Sequence, residues 1–260
     1  MNNPYPARPD VLAFLACFPA AIGIARAAEA TPRTYAVLSL VGDQLTIVTR
    51  RLTTGTQLDP NDHHVMAVDN GSLDGVIAAA AESAITAANP WSQWLNFSIR
   101  DPRLFALQEQ LLVPGAASDA LREALRGLLV KAGATRLIVV TKWRAEATFR
   151  LVNDSVGAGK IMGLGFYVDG VTKTHLLSTG EDLVGFIAPF AYLKVSLLDA
   201  ATRKLIASRV ATTSSFWTPA ETKNAASAWE IMTVKEKSQE LDGVIRQAVS
   251  KATGELLAEP

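Results

Sequence analysis

The alternation of apolar and polar positions divides the chain into strands and helices with few ambiguous stretches. Residues 35–41 and 44–52 are β-branched and apolar runs, and Gly42-Asp43 between them predicts a hairpin. A polar loop is expected over residues 53–62, then a short strand over residues 64–69, with Asn70-Gly71-Ser72 as turn and N-cap. From Leu73 the apolar positions Ile77, Ala80, Ala81, Ala84, Ile85 and Ala88 share one helical face, and Asn89-Pro90 stops that helix. A strand is expected around residues 94–99.

The best-specified helix follows Ser118, with Leu121, Ala124, Leu125, Leu128, Leu129 and Ala132 on one face and Gly133 as its left-handed C′ residue. Leu137-Ile138-Val139-Val140 directly after it has no polar alternation, as expected of a strand covered on both faces. Residues 190–198 alternate cleanly: Ala191, Leu193, Val195 and Leu197 on one side, Tyr192, Lys194 and Ser196 on the other. The turn at residues 199–202 then returns the chain through residues 205–212. Thr218-Pro219-Ala220-Glu221 reads as a capping box opening a helix with Ala225, Ala228, Trp229 and Met232 on one face. A last helix carries Leu241, Val244, Ile245, Ala248, Val249 and Ala252, with Gly254 as its expected stop. The fold class expected is α+β: a single domain over residues 31–260, with a mixed or mostly antiparallel sheet, a central buried strand, amphipathic helices packed on it and C-terminal helices.

Residues 1–30 change the picture of compartment. A polar, Arg8-bearing start, an apolar run over residues 11–25 and Ala28-Glu29-Ala30 have the order of a signal peptide cleaved after Ala30. The run is too short to span a bilayer comfortably, and no later apolar stretch reaches that length, so the mature chain is expected without a transmembrane segment. Cleavage removes Cys17, the chain's single cysteine, so hydrophobic packing rather than disulfides must stabilise the rest. The 49% hydrophobic content supports a sizeable core. Lys plus Arg and Asp plus Glu are both 25, so no basic nucleic-acid surface is implied.

Candidate chemistry is sparse. Asp59, Asp62, His63, His64 and Asp69 form the one local cluster of metal-ligand residue types, of which Asp59, His63, His64 and Asp69 are the candidates for a metal-dependent hydrolase. Adjacent histidines on a strand point to opposite faces, and Asp59-Pro60-Asn61-Asp62 is also ordinary turn chemistry. The glycines over residues 157–165 suggest a phosphate loop, but Ile161 stands where the Ser or Thr after Lys160 would be, and Met162 where a dinucleotide fingerprint needs its third Gly. Those glycines are expected to serve bends and close packing, and no cofactor is expected. Trp143, Arg144, Glu146, Phe149 and Arg150 mix aromatic and charged residues as a ligand-contacting edge would.

The order helix, Lys131-Ala132-Gly133-Ala134-Thr135-Arg136-Leu137-Ile138-Val139-Val140-Thr141, then a hairpin turning at Asp199-Ala200-Ala201-Thr202, resembles an α/β unit seen elsewhere. It is similar to the unit shared by the N-terminal domain of the Tol system's periplasmic propeller protein and by the curli-secretion lipoprotein family. Thr135 stands where those families carry Asp, and Arg203 where their turn carries Gly. The resemblance implies a non-catalytic component of the bacterial envelope. The function expected is therefore an exported, periplasmic or secreted, non-catalytic binding or envelope-assembly protein, partnered by another envelope protein or by its own copies. The alternatives are the metal-dependent hydrolase and a small-ligand carrier.

Overall fold

The computed structural model describes residues 33–51, 61–68, 72–97, 125–127, 129–151, 154–175, 182–218 and 227–258. Eleven strands are found among them: β1 (Thr34–Ser39), β2 (Gln44–Arg50), β3 (Asn61–Ala67), β4 (Gln93–Phe97), β5 (Arg136–Lys142), β6 (Arg144–Glu146), β7 (Phe149–Arg150), β8 (Ser155–Val156), β9 (Lys160–His175), β10 (Asp182–Asp199) and β11 (Leu205–Ser214). Helices α1 (Ser72–Ala88) and α2 (Val234–Ala258) and a single 3₁₀ turn (Ala228–Ile231) complete the description, with further helical turns at residues 125–127 and 129–131.

Nine strands form one mixed sheet, and β7 with β8 a separate ribbon. The long β10 is its spine. Along one edge β10 pairs antiparallel with β9 through Tyr192 and then with β5 from Leu193, so β5 and β9 lie end to end in one lane. Along its other edge β10 pairs with β11. In the next lane β1 runs parallel to β5 and β2 parallel to β9; outermost, β4 is parallel to β1 and β3 antiparallel to β2.

This corrects the expected hairpin at Gly42-Asp43. β1 and β2 do not pair; they follow one another along the same lane. Ser39 lies opposite Val140, in register with Val195, and Thr46 lies opposite Gly165, in register with Phe190. The chain therefore spends seven residues where the spine spends five. The surplus is absorbed at Leu40–Asp43, where Gly42 has φ 74°. β1, buried from Tyr35 onward, needs a neighbour on each side, and the apolar β5 fills the place a hairpin partner would have taken.

Both sheet faces are covered. α1 and α2 lie on one, sealing a core that includes Tyr35, Val37, Ile77, Ile138, Phe166, Ile187, Val195, Ile245 and Val249. Ser250 Oγ donates to the Ala80 carbonyl, 3.2 Å, tying the two helices together. On the opposite face Leu125 and Leu129 cover β1 and β5. Residues 144–151 and 154–161 cover the β9 and β10 half, around Phe149, Tyr167, Phe186, Phe190 and Tyr192. The α+β class and the central buried strand thus hold, and the described residues belong to one compact unit.

Helix ends need two further corrections. The helix expected through Met232 does not reach it: Ala228–Ile231 is one 3₁₀ turn and Met232 is extended (φ −116°, ψ 139°). Residues 219–226, with the expected capping box beyond Thr218, lie outside the described residues. α2 has a capping box of its own, Thr233-Val234-Lys235-Glu236. Glu236 Oε2 accepts from Thr233 N at 2.7 Å, and Thr233 Oγ1 accepts from Glu236 N at 3.3 Å. Gly254 does not stop α2, which continues to Ala258. Gly133, by contrast, does end its helix with φ 63°, while Ala134 N donates to the Leu129 carbonyl at 3.1 Å.

Candidate functional site

Among the described residues, the sheet face that carries the helices is not sealed along its whole length. Where β2 and β9 run side by side, alternate residues rise toward the helix layer: Leu45, Ile47 and Thr49 from β2, Phe166 and Val168 from β9, with Ile47 opposite Phe166 and Thr49 opposite Val168. These form the floor of two hollows that share Ile47 and Trp229. One, about 450 Å³, is walled by Met66, Val68, Leu73 and Val76 and roofed by Val234, Lys237 and Leu241. The other, about 690 Å³, continues past Trp229 to Arg50, Gly170, Val171 and Val184. Together they make an apolar trough with Lys237 at one end.

Trp229 is fixed rather than loose. Its ring meets Phe166 edge-on, centroids 5.5 Å apart at 88°, and Lys237 Nζ lies 4.1 Å above its face. Lys237 is buried and donates to the Met232 carbonyl at 2.6 Å. Burial pushes its pKa down, against the opposing pull of Glu230 and Glu236.

At the same end of β2 and β9, but on the opposite face of the sheet with Val48, Tyr167 and Phe186, Asp169 is fully buried and accepts four hydrogen bonds. Val171 N and Thr172 N reach Oδ1, each at 2.8 Å; Thr172 Oγ1 at 2.6 Å and Arg50 Nη1 at 2.8 Å reach Oδ2. Burial pushes the Asp169 carboxyl up, but the bonds from Thr172, Arg50 and Val171 outweigh it and hold the group below the usual carboxylate range. The bond to Asp169 in turn raises the pKa of Arg50. Opposite Asp169 the β9–β10 register slips, and Gly185 (φ 87°) leaves room for the Asp169 carbonyl, which an added Cβ would meet at 2.8 Å. The pair is invisible to sequence spacing because 119 residues separate its members.

The residues singled out from the sequence are placed differently. His63 and His64 sit on β3, exposed and on opposite faces of the strand, so they do not converge on one ion. Asp62 is in the same strand rather than a loop and pairs with Arg51. Asp59 and Asp69 lie outside the described residues, as do residues 1–30 with the cleavage point after Ala30. Among the described residues no group of three or more His, Cys, Asp or Glu is placed to hold a metal.

The glycine-rich stretch carries bends and close contacts, as expected. Gly157, Gly159 and Gly163 all have positive φ, and a Cβ on Gly157 would meet the Ala147 carbonyl at 2.2 Å. The Ala158 amide donates to Tyr167 Oη at 3.0 Å, and the Ala158 carbonyl accepts from Asn61 Nδ2 at 2.6 Å, so this backbone is turned to the protein rather than to an anion. Of the aromatic and charged edge, Phe149 is buried in the core of its face. Glu146 and Arg150 line a polar hollow of about 780 Å³ with Gln247, Lys251 and Glu255 of α2.

No protein-family model matches the chain, and no curated protein matches it. Solved structures resemble it at low identity, among them the following three. A DUF330-family protein from Xanthomonas campestris is 10% identical, with 88% of this chain and 86% of that one covered, TM-score 0.33. A neuraminyllactose-binding hemagglutinin homolog from Helicobacter pylori is 10% identical over 88% and 87%, TM-score 0.36. A lipoprotein from Neisseria meningitidis is 12% identical over 83% and 97%, TM-score 0.29. At these TM-scores none lends this chain a role, and the finer likeness to the Tol and curli proteins is untouched by them. Among the described residues no helix is long and apolar enough to cross a membrane.

Proposed function

We propose that the protein is an exported, non-catalytic binding protein, and that the trough beneath Trp229 is where it holds an apolar small molecule. The observation that carries this is the row of Leu45, Ile47, Phe166 and Val168 that lines the two hollows on either side of the Trp229 ring. Apolar side chains lining a concave space gain free energy when a ligand displaces water from them, about 25 cal/mol for each Å² covered. The groups with perturbed pKa values at this site and on the sheet face behind it are already satisfied internally: Lys237 by a carbonyl and a ring, Asp169 by four donors. That suits positioning and binding more than proton transfer.

The test is titration of the purified chain with N-phenyl-1-naphthylamine, whose emission rises in apolar surroundings. Saturable binding that Ile47→Trp removes supports the reading; wild-type binding in Ile47→Trp sinks it. Export is a separate part of the proposal. N-terminal sequencing of the protein from its native host is expected to start at Thr31, and an intact Met1 would overturn it. The hydrolase alternative with Asp59, His63, His64 and Asp69 requires stoichiometric metal that is lost on joint His63→Ala and His64→Ala substitution.

A further inference from the structure

We infer that the open edge of β11 takes one extended acidic peptide as an added strand, seated between α2 and the segment that carries β6 and β7. Hydrogen-bond parity fixes which backbone groups are on offer. Ile187 and Trp217 exchange both N–H···O bonds at 3.0 Å, and Ser215 N donates to the Pro189 carbonyl at 3.1 Å. In an antiparallel ladder such pairs alternate with pairs whose backbone groups point away from each other. Continuing the register, Thr213 and Ala211 bond inward to Ala191 and Leu193, whereas Ser208, Val210, Thr212 and Ser214 turn their N–H and C=O outward. The other edge of β10 agrees, since Tyr192, of the opposite parity, gives its carbonyl to Trp143 N at 2.9 Å. Among the described residues β11 pairs with β10 alone. Natural sheet edges are commonly blunted by charge, proline or a bulge. The stretch from Val210 to Ser214 carries none of these, and the register shift of the ladder lies away from it, between Leu197 and Leu198.

That stretch is also recessed. It lines the hollow of about 780 Å³ whose walls stand on opposite faces of the sheet, α2 with Lys251 and Glu255 on one and Glu146 with Arg150 on the other. A second folded copy offering its own β11 would bring its own two walls against these before the strands met. A single extended segment fits between them. The charges then select its composition. Glu146 faces Lys160 at 3.7 Å, and Glu255 faces Arg209 at 4.0 Å. Arg150 and Lys251 are exposed and have no ion-pair partner among the described residues, so each wall holds one uncompensated cation. Successive side chains of a strand point to opposite faces, so two adjacent acidic residues of an added strand reach both walls at once. Backbone pairing supplies the affinity and the adjacent acids the choice of partner. The slot shares no residue with the trough beneath Trp229 and stands independently of the ligand proposed there.

The experiment titrates the purified chain into a fluorescein-labelled synthetic peptide with blocked ends, Thr-Val-Thr-Glu-Asp-Val-Thr-Val-Thr, and follows its anisotropy. Saturable binding is expected, weaker by about tenfold or more when Lys-Lys replaces the Glu-Asp pair, because two attractions become two repulsions. Arg150→Glu and Lys251→Glu change exposed side chains and keep the fold, and each is expected to weaken the acidic peptide about tenfold. Strand addition has a readout that surface attraction lacks. With the unlabelled peptide at about ten times its dissociation constant, amide exchange at Val210, Thr212 and Ser214, followed by NMR, is expected to slow about tenfold. No saturable binding, equal binding of the Lys-Lys peptide, unchanged exchange at those three amides, or folded charge-reversal variants that bind as the wild type does each overturn the inference. A dimer in sedimentation equilibrium, with the same amides already slow before peptide is added, overturns it in favour of a second copy on the edge.

Discussion

At the scale of single residues, the most informative departure from expectation is Arg203. It is the one non-glycine residue with positive φ (59°) among those described, and it occupies the turn position where the resembling families carry Gly. An L-residue in that region costs roughly 1–2 kcal/mol, so Arg203→Gly is expected to raise unfolding stability by about 1 kcal/mol in a urea titration. The turn survives the cost because Asp199 holds it: Thr202 N and Thr202 Oγ1 each donate to Asp199 Oδ1 at 2.8 Å, and Arg136 Nη1 donates to Oδ2 at 2.9 Å. Here the residues Asp199 to Thr202 marked the turn, but backbone strain leaves no mark in residue patterns.

Two carboxylates give opposite pH signatures. The folded-state pKa of Asp169 lies below its unfolded value, so its stabilisation is present above that unfolded value, about 3.9, and is lost as pH falls through the folded one. Asp169→Asn is expected to cost about 3 kcal/mol at pH 7, since it removes one partner of a buried pair, and to cost progressively less in acid. Asp74 is the reverse. Burial pushes its pKa up, against the hydrogen bond to Ser39, and the charge of Asp43 pushes it up further. Its ionisation therefore opposes folding at neutral pH, and Asp74→Asn is expected to raise the urea midpoint at pH 7, with the gain vanishing in acid where the carboxyl is neutral in both states. Neither burial nor neighbouring charge could be read from the residues flanking either Asp.

At the scale of elements, periodicity identified what local physics controls. The α1 face, the buried β5, the β10–β11 hairpin and the Gly133 stop were legible because each rests on contacts or dihedrals within a short stretch. The last helix was legible from its apolar face, but the capping box at Thr233 and Glu236 that starts it was not singled out. Thr233→Ala is expected to cost about 1 kcal/mol and to raise amide exchange in the first turn of α2. The β2–β9 pairing that builds the trough floor was not legible, because parallel partners carry no shared local signal. It depends on Gly165, where an added Cβ would fall 1.8 Å from the Thr46 carbonyl. Gly165→Ala is expected to destabilise by more than about 2 kcal/mol, measured by thermal unfolding.

At the scale of the whole molecule, the class and core were predictable from 49% hydrophobic content and clean amphipathic faces, whereas the topology was not. Gly42-Asp43 has the chemistry of a turn, and a kink in a continuing lane uses the same positive φ as a reversal. Which of the two forms depends on what fills the space beside β1, and that is decided by β5, far along the chain. The candidate site inherits this difficulty. Its residues come from β2, β3, β9, β10, α1, α2 and the turn carrying Trp229, and no window of sequence contains more than a few of them. Local clusters such as His63-His64 stand out in a sequence precisely because they are local, and a strand then separates them to opposite faces.

The central claim is that the space under Trp229 is a seat for an apolar ligand. The most direct measurement is saturation binding of N-phenyl-1-naphthylamine to wild type and to Ile47→Trp, both verified as folded by circular dichroism. Saturable binding in the wild type and its loss in Ile47→Trp is the predicted result; equal binding by the two proteins would contradict the account.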